Sequence, residues 1–147
     1  MAARQRLLVA VTPMGYMHAR RALHRRFDLV AAFSMQQALV ALKAGEIDAI
    51  LCSIHFDESR MFDLLGLARE SAPDTPFACC RILHSPLSRQ AIESLVTTAR
   101  SLGCRGFIDF NDLMRSHGYD EADRRFSEAV VELLAAQPEK RSGSTRL

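Results

Sequence analysis

Five short apolar runs, each followed by a turn and then by a segment of helical period, constrain this chain more than any other feature of it. The runs fall at residues 6–11, 28–33, 48–54, 77–83 and 106–110. Each is too short for a buried helix and ends in polar, proline or glycine punctuation, so each reads as a buried strand. Between them, apolar residues recur every three or four positions, as on an amphipathic helix. Such alternation predicts an α/β fold with a parallel sheet covered on both faces by helices. Right-handed crossovers leave few topologies, and the leading one is a five-stranded, flavodoxin-like sheet of order 2-1-3-4-5.

Local signals place the helices. Ala19, Ala22, Leu23 and Phe27 share a face after the first strand, while Arg20, Arg21, His24, Arg25 and Arg26 take the remaining surface. Thr12-Pro13-Met14-Gly15 reads as the turn before that helix. Ser34 followed three residues later by Gln37 predicts a capping box, and Gly45 stands where a left-handed helix cap is wanted. Met61, Leu64, Leu65, Leu67 and Ala68 give a third helix that ends before Pro73-Asp-Thr-Pro76. Ala91, Ile92, Leu95, Val96, Ala99 and Leu102 give a fourth, strongly amphipathic one. Asn111 to His117 predicts a short helical turn stopped by Gly118, and Asp120 is placed to cap a last helix whose inner face is Ala122, Phe126, Ala129, Val130, Leu133 and Leu134. A single domain over residues 1–136 and a disordered tail over 137–147 follow from the loss of apolar residues beyond Gln137.

With 48% of its residues hydrophobic and a net charge of +2, the 147-residue chain supports one real core and does not announce a nucleic-acid partner. Cys52, Cys79, Cys80 and Cys104 lie in strand or turn segments with no spaced framework, and the neighbours Cys79 and Cys80 should face opposite sides of the sheet. Without a signal-peptide pattern they read as reduced thiols of a cytoplasmic protein. No run approaches the ~18 apolar residues of a membrane span.

On Asp48-Ala-Ile-Leu-Cys-Ser53 at the third strand, Pro73-Asp-Thr-Pro76 before the fourth and Leu102-Gly-Cys-Arg-Gly-Phe107 entering the fifth, the chain resembles the receiver domain of bacterial two-component response regulators, over roughly residues 6–110. The resemblance implies a signalling role and a set of site positions. The acidic pair after the first strand falls at Val11 and Thr12, which carry no carboxylate. The phosphorylated aspartate falls on Ser53, or on Cys52 if the register slips by one. The hydroxyl-bearing switch residue falls at Arg81, the lysine at Asp109 or Phe110, and the aromatic switch residue at Phe107. Phosphoryl transfer depends on cations that neutralise the phosphoryl oxygens. The expectation is therefore a degenerate pseudo-receiver, a stand-alone module acting through protein contact, not an enzyme and without a cofactor. In that family the face of the fourth helix, fifth strand and fifth helix commonly mediates dimers, which here draws on residues 89–100 and 120–132.

Other constellations compete. His18, His55 and His84 follow the first, third and fourth strands, and with Cys52 or Cys80 they could make a metal or small-ligand sensor at the strand-end rim. Ser53 or Cys52 could serve as a nucleophile with His55 or His84 as base, but no nucleophile elbow or glycine-rich phosphate loop accompanies them. Asp57 and Glu58 could be a displaced acceptor or ligand; the plainer reading is acids favoured by a helix N-terminus. Arg4, Arg6, Arg20, Arg21, Arg25 and Arg26 could form a basic patch, or simply a solvated face with cations suited to a helix C-terminus.

Overall fold

In the computed structural model, which describes residues 4–135, strands and helices alternate from the start. They are β1 (Arg6–Ala10), α1 (Pro13–Leu23), β2 (Asp28–Ala32), α2 (Met35–Ala44), β3 (Ala49–Ser53), α3 (Met61–Ser71), β4 (Phe77–Arg81), α4 (Arg89–Ser101), β5 (Phe107–Asp109), α5 (Phe110–His117) and α6 (Tyr119–Leu134). The strands form one parallel sheet of order β2-β1-β3-β4-β5, as the alternation predicts. The tail expected over residues 137–147, and the domain boundary at 136, lie outside the described residues. Among the described residues, no helix is long and apolar enough to cross a membrane.

Every residue of β3 and β4 is buried, because helices cover both faces of the central strands. Strand alternation sorts the side chains into two cores. Leu7, Val9, Leu51, Ala78 and Cys80 pack with α1 and α6 on one face. Leu8, Ala10, Ile50, Cys52, Phe77 and Cys79 pack with α2, α3 and Ala99 of α4 on the other. Cys79 and Cys80 do face opposite sides.

Several helix boundaries have specific causes. Thr12 does not belong to a free turn: its Oγ1 accepts from the Gly15 amide at 3.0 Å and Pro13 is the first helical residue, so α1 starts earlier than its apolar stripe suggests. Ser34 caps α2 through the Gln37 amide at 3.2 Å, while Gln37 Oε1 accepts from Phe33 rather than from Ser34, at 2.7 Å. Gly45 ends α2 at φ +82°, in the left-handed region expected of it. Asp120 is not the cap of α6. Gly118 occupies that position with no side-chain cap bond, and Asp120 and Glu121 lie in the first turn, where acids suit the helix dipole.

The fourth helix departs most from its pattern. Of its expected inner residues only Ala99 is fully buried, and Leu102 is exposed. Its stripe does not close against α3; a half-open apolar groove of about 350 Å³, lined by Ile54, Met61, Phe62, Leu87 and Leu95, lies between them.

Candidate functional site

The C-terminal ends of parallel strands are where an open α/β sheet gathers its functional groups. Here the β1 and β3 part of that rim is closed by apolar side chains. Val11, Ile82 and Phe110 are buried in one cluster with the core shared by α1 and α6. A Cβ placed on Gly15 would come within 3.7 Å of Val11 Cβ and 3.9 Å of Ile82 Cβ, so the loop after β4 reaches across the end of β3 to the start of α1. Thr12, the one polar group after β1, is spent on capping α1. Phe56 is fully buried in the other core, and Leu83 is half-buried.

Ser53, only 4% exposed, is the last residue of β3, and its Oγ accepts from the His55 amide at 3.0 Å. Beside it, Arg81 at the end of β4 faces Asp109 at the end of β5, its partner in the strand register. The guanidinium takes both carboxylate oxygens: Nη2 donates at 2.8 Å to Oδ2, and Nε lies 3.2 and 3.1 Å from Oδ1 and Oδ2. Arg81 is 8% exposed, and its Nη1 also donates to Ser85 Oγ at 3.4 Å. Asp109 Oδ1 in turn accepts from the Asp112 amide at 3.0 Å and caps α5. One carboxylate thus ends a strand, neutralises a buried cation and starts a helix. Phe107, at the start of β5, is half-buried.

The histidines separate. His55 follows Ser53 with a buried Nε2 that has no partner among the described residues. Burial, and then the Arg81 charge, hold its pKa below the ordinary histidine value. His18 lies on α1, its ring parallel to Tyr119 with centroids 6.2 Å apart and 5.6 Å from Phe110. Its pKa is also lowered, by burial first and the nearby Arg21 second, against an opposing pull from Asp123. His84 is exposed in the loop before α4. Cys52 is wholly buried, and burial pushes its thiol pKa well up. His18, Cys52, His55 and His84 are therefore not brought together, and among the described residues no group of three or more His, Cys, Asp or Glu side chains has the geometry to hold a metal ion.

Asp57 and Glu58 sit in a strained loop in which Asp57, Glu58 and Ser59 all have positive φ, of 44°, 57° and 67°. Asp57 Oδ2 accepts from the Met35 amide at 2.8 Å, so this acid serves the N-terminus of α2 rather than that of its own following helix. The basic set also divides. Arg4 bonds the carbonyls of His24 and Phe27 and pairs with Asp28 at 3.4 Å, while Arg21 pairs with Asp123 at 2.7 Å. Arg6 lies 3.9 Å from Glu46, and Arg20, Arg25 and Arg26 are exposed.

Two features of the site are not legible as units in the sequence. The Arg81–Asp109 pair spans 28 residues and exists only through strand register. The eight-residue α5 follows β5 without a loop and brings Phe110 over the rim, where it meets Phe126 edge-on at 5.4 Å. Asp109 three residues before Asp112 is the local signal for that helix start.

No family model matches the chain, and no curated protein matches it. Solved structures do. A response regulator from Thermotoga maritima is similar at 17% identity and a TM-score of 0.68, covering 91% of this chain and all of its own. The signal receiver domain of an HD domain-containing protein from Pseudomonas fluorescens matches at 17% identity and a TM-score of 0.67, over 100% of this chain and 96% of its own. An orphan response regulator of H. pylori matches at 10% identity and a TM-score of 0.64, over 90% and 99%. The fold is that of response-regulator receiver domains.

Proposed function

We propose that this chain is a receiver-like signalling module that works through protein contact and does not take part in aspartyl phosphorylation. The observation that carries this reading is the Arg81–Asp109 pair. At the positions that the resemblance assigns to the switch hydroxyl and the lysine, a cation and an anion neutralise each other at 2.8 Å, leaving neither free for a phosphoryl group. Supporting it, Ser53 stands where an aspartate is needed for an acyl phosphate, and Val11 and Thr12 supply no carboxylate for a magnesium ion. The role of the module then lies in what its outer helices touch. A polar groove of about 400 Å³ on the α4 and β5 side carries Arg89, Glu93, Asp112 and Arg115, charges of both signs suited to another protein surface, a second copy of this chain included.

Incubation with acetyl phosphate and magnesium, read by intact mass, tests the loss of chemistry. The expected mass is unchanged; a gain of one phosphate overturns the reading. A pull-down from the native host tests the contact role, with substitutions at Arg89 and Arg115 expected to weaken capture while leaving the fold intact.

A further inference from the structure

The thiols take no part in the function proposed above, yet two of them are arranged for chemistry. Cys79 on β4 and Cys104, which follows α4, both point into the core shared by α2 and α3. Their sulfurs are 3.5 Å apart and converge on one acceptor, the Gly106 carbonyl, at 3.4 Å from Cys79 and 3.3 Å from Cys104. Backbone bonds flank the pair, Arg105 N–H to the Phe77 carbonyl at 2.7 Å and Cys79 N–H to the Gly106 carbonyl at 2.9 Å, so the two segments are held side by side. Cys80 faces the opposite core, and Cys52 is sealed in the sheet at 0% exposure.

The two sulfurs differ in access and in acidity. Cys104 is 6% exposed and lies just beyond Gly103, whose φ of +105° turns the chain from α4 toward β5. Cys79 is 1% exposed. The contact with the Cys79 thiol, backbone hydrogen bonds and the Arg100 charge favour the thiolate at Cys104 and overcome its burial; the same contact, with burial, pushes Cys79 up. The more reachable sulfur is thus also the one whose surroundings favour the thiolate.

We propose that Cys104 and Cys79 are a peroxide-oxidised pair, Cys104 reacting with peroxide first and Cys79 resolving it as a disulfide that ties the end of α4 to β4. The Cys104 thiolate attacks hydrogen peroxide, an S–O bond forms, the O–O bond breaks and hydroxide leaves, giving the sulfenic acid. Cys79 sulfur then attacks Cys104 sulfur, the S–O bond breaks, and that oxygen leaves as water with the proton from Cys79. Two thiols lose two electrons and two protons in all, and one peroxide becomes two waters. Closing from 3.5 Å to the ~2.0 Å of a disulfide needs about 1.5 Å of approach between the sulfurs. The helix being tied is α4, the one with least of its apolar stripe buried.

Oxidation of the reduced 147-residue chain with hydrogen peroxide, followed by blocking of free thiols and tryptic mapping without reductant, tests this. Cleavage after Arg69, Arg81, Arg100 and Arg105 places Cys79 and Cys80 in the peptide Glu70–Arg81 and Cys104 in Ser101–Arg105. The expected result is loss of two hydrogens from the intact protein and a link between these two peptides that persists in Cys80→Ala and Cys52→Ala. In Cys79→Ala, Cys104 should remain as a sulfenic acid trapped by dimedone. A link through Cys80 or Cys52, or unlinked Cys104 in the oxidised wild-type chain, overturns the proposal. The wild-type map decides this even if a variant fails to fold.

Discussion

Arg81 and Asp109 meet at the ends of neighbouring strands with Nη2 and Oδ2 2.8 Å apart, and the same carboxylate caps α5. Removing one partner strands a largely buried charge. Arg81→Met should therefore cost about 2–3 kcal/mol, less than a fully enclosed pair because Asp109 is partly solvated. Asp109→Asn keeps an oxygen for the Asp112 amide and isolates the charge. In urea unfolding of the two single variants and the double, a coupling of about 1–3 kcal/mol is expected; simple additivity would show that the pair contributes nothing as a pair.

His18 and His55 titrate below the ordinary value of 6.5, chiefly through burial. The unfolded chain then takes up protons before the native one does. Stability attributable to these histidines is complete above 6.5 and declines as pH falls from there toward the folded values. Urea midpoints measured from about pH 7 to about pH 5 should fall, and His55→Gln should flatten part of that fall. An equal slope in the variant removes His55 from the effect.

Phe110 is the apolar plug at the rim, buried against Phe126 and close to His18. Phe110→Ala should destabilise by about 3–5 kcal/mol, and Phe126→Ala similarly, as judged by chemical unfolding. A cost below about 1 kcal/mol for Phe110→Ala would mean that α5 folds over the rim without gripping it.

The loop at 57–59 separates strain from capping. Glu58 has φ of +57° and no cap role, so Glu58→Gly should be neutral or stabilising by up to about 1 kcal/mol, the relieved strain outweighing the added freedom of the unfolded chain. Asp57→Gly relieves the same kind of strain but removes the acceptor for Met35, and should lower stability by about 0.5–1 kcal/mol. Thermal melts of the two variants shifting in the same direction would contradict this division.

What the sequence made legible was local or periodic. The strands, their order, the Ser34 cap, the Gly45 turn and the opposite facing of Cys79 and Cys80 all rest on patterns spanning a few residues, and the structure bears them out. What it hid depends on register or on which element lies across the way. Arg81 and Asp109 are 28 residues apart and are matched only once β4 and β5 pair. Asp57 looks like an acid for the following helix, yet it bonds the start of an earlier one. The stripe on α4 is as regular as any in the chain, but an apolar stripe states a capacity for burial and not how far the neighbouring surface extends to meet it. Likewise, three histidines after three strand ends suggest convergence, whereas His18 sits a full turn into α1 and stacks on Tyr119.

The brevity of β5 has a mechanical consequence for recognition. Its free edge is three residues long, about 10 Å of unpaired backbone, and the chain then turns directly into α5. A visiting strand finds almost no template there. The longer open edge is β2, on the far side of the sheet. A protein docking beside α4 would have to read side chains there, because β5 offers charge and shape on that flank rather than a main-chain template.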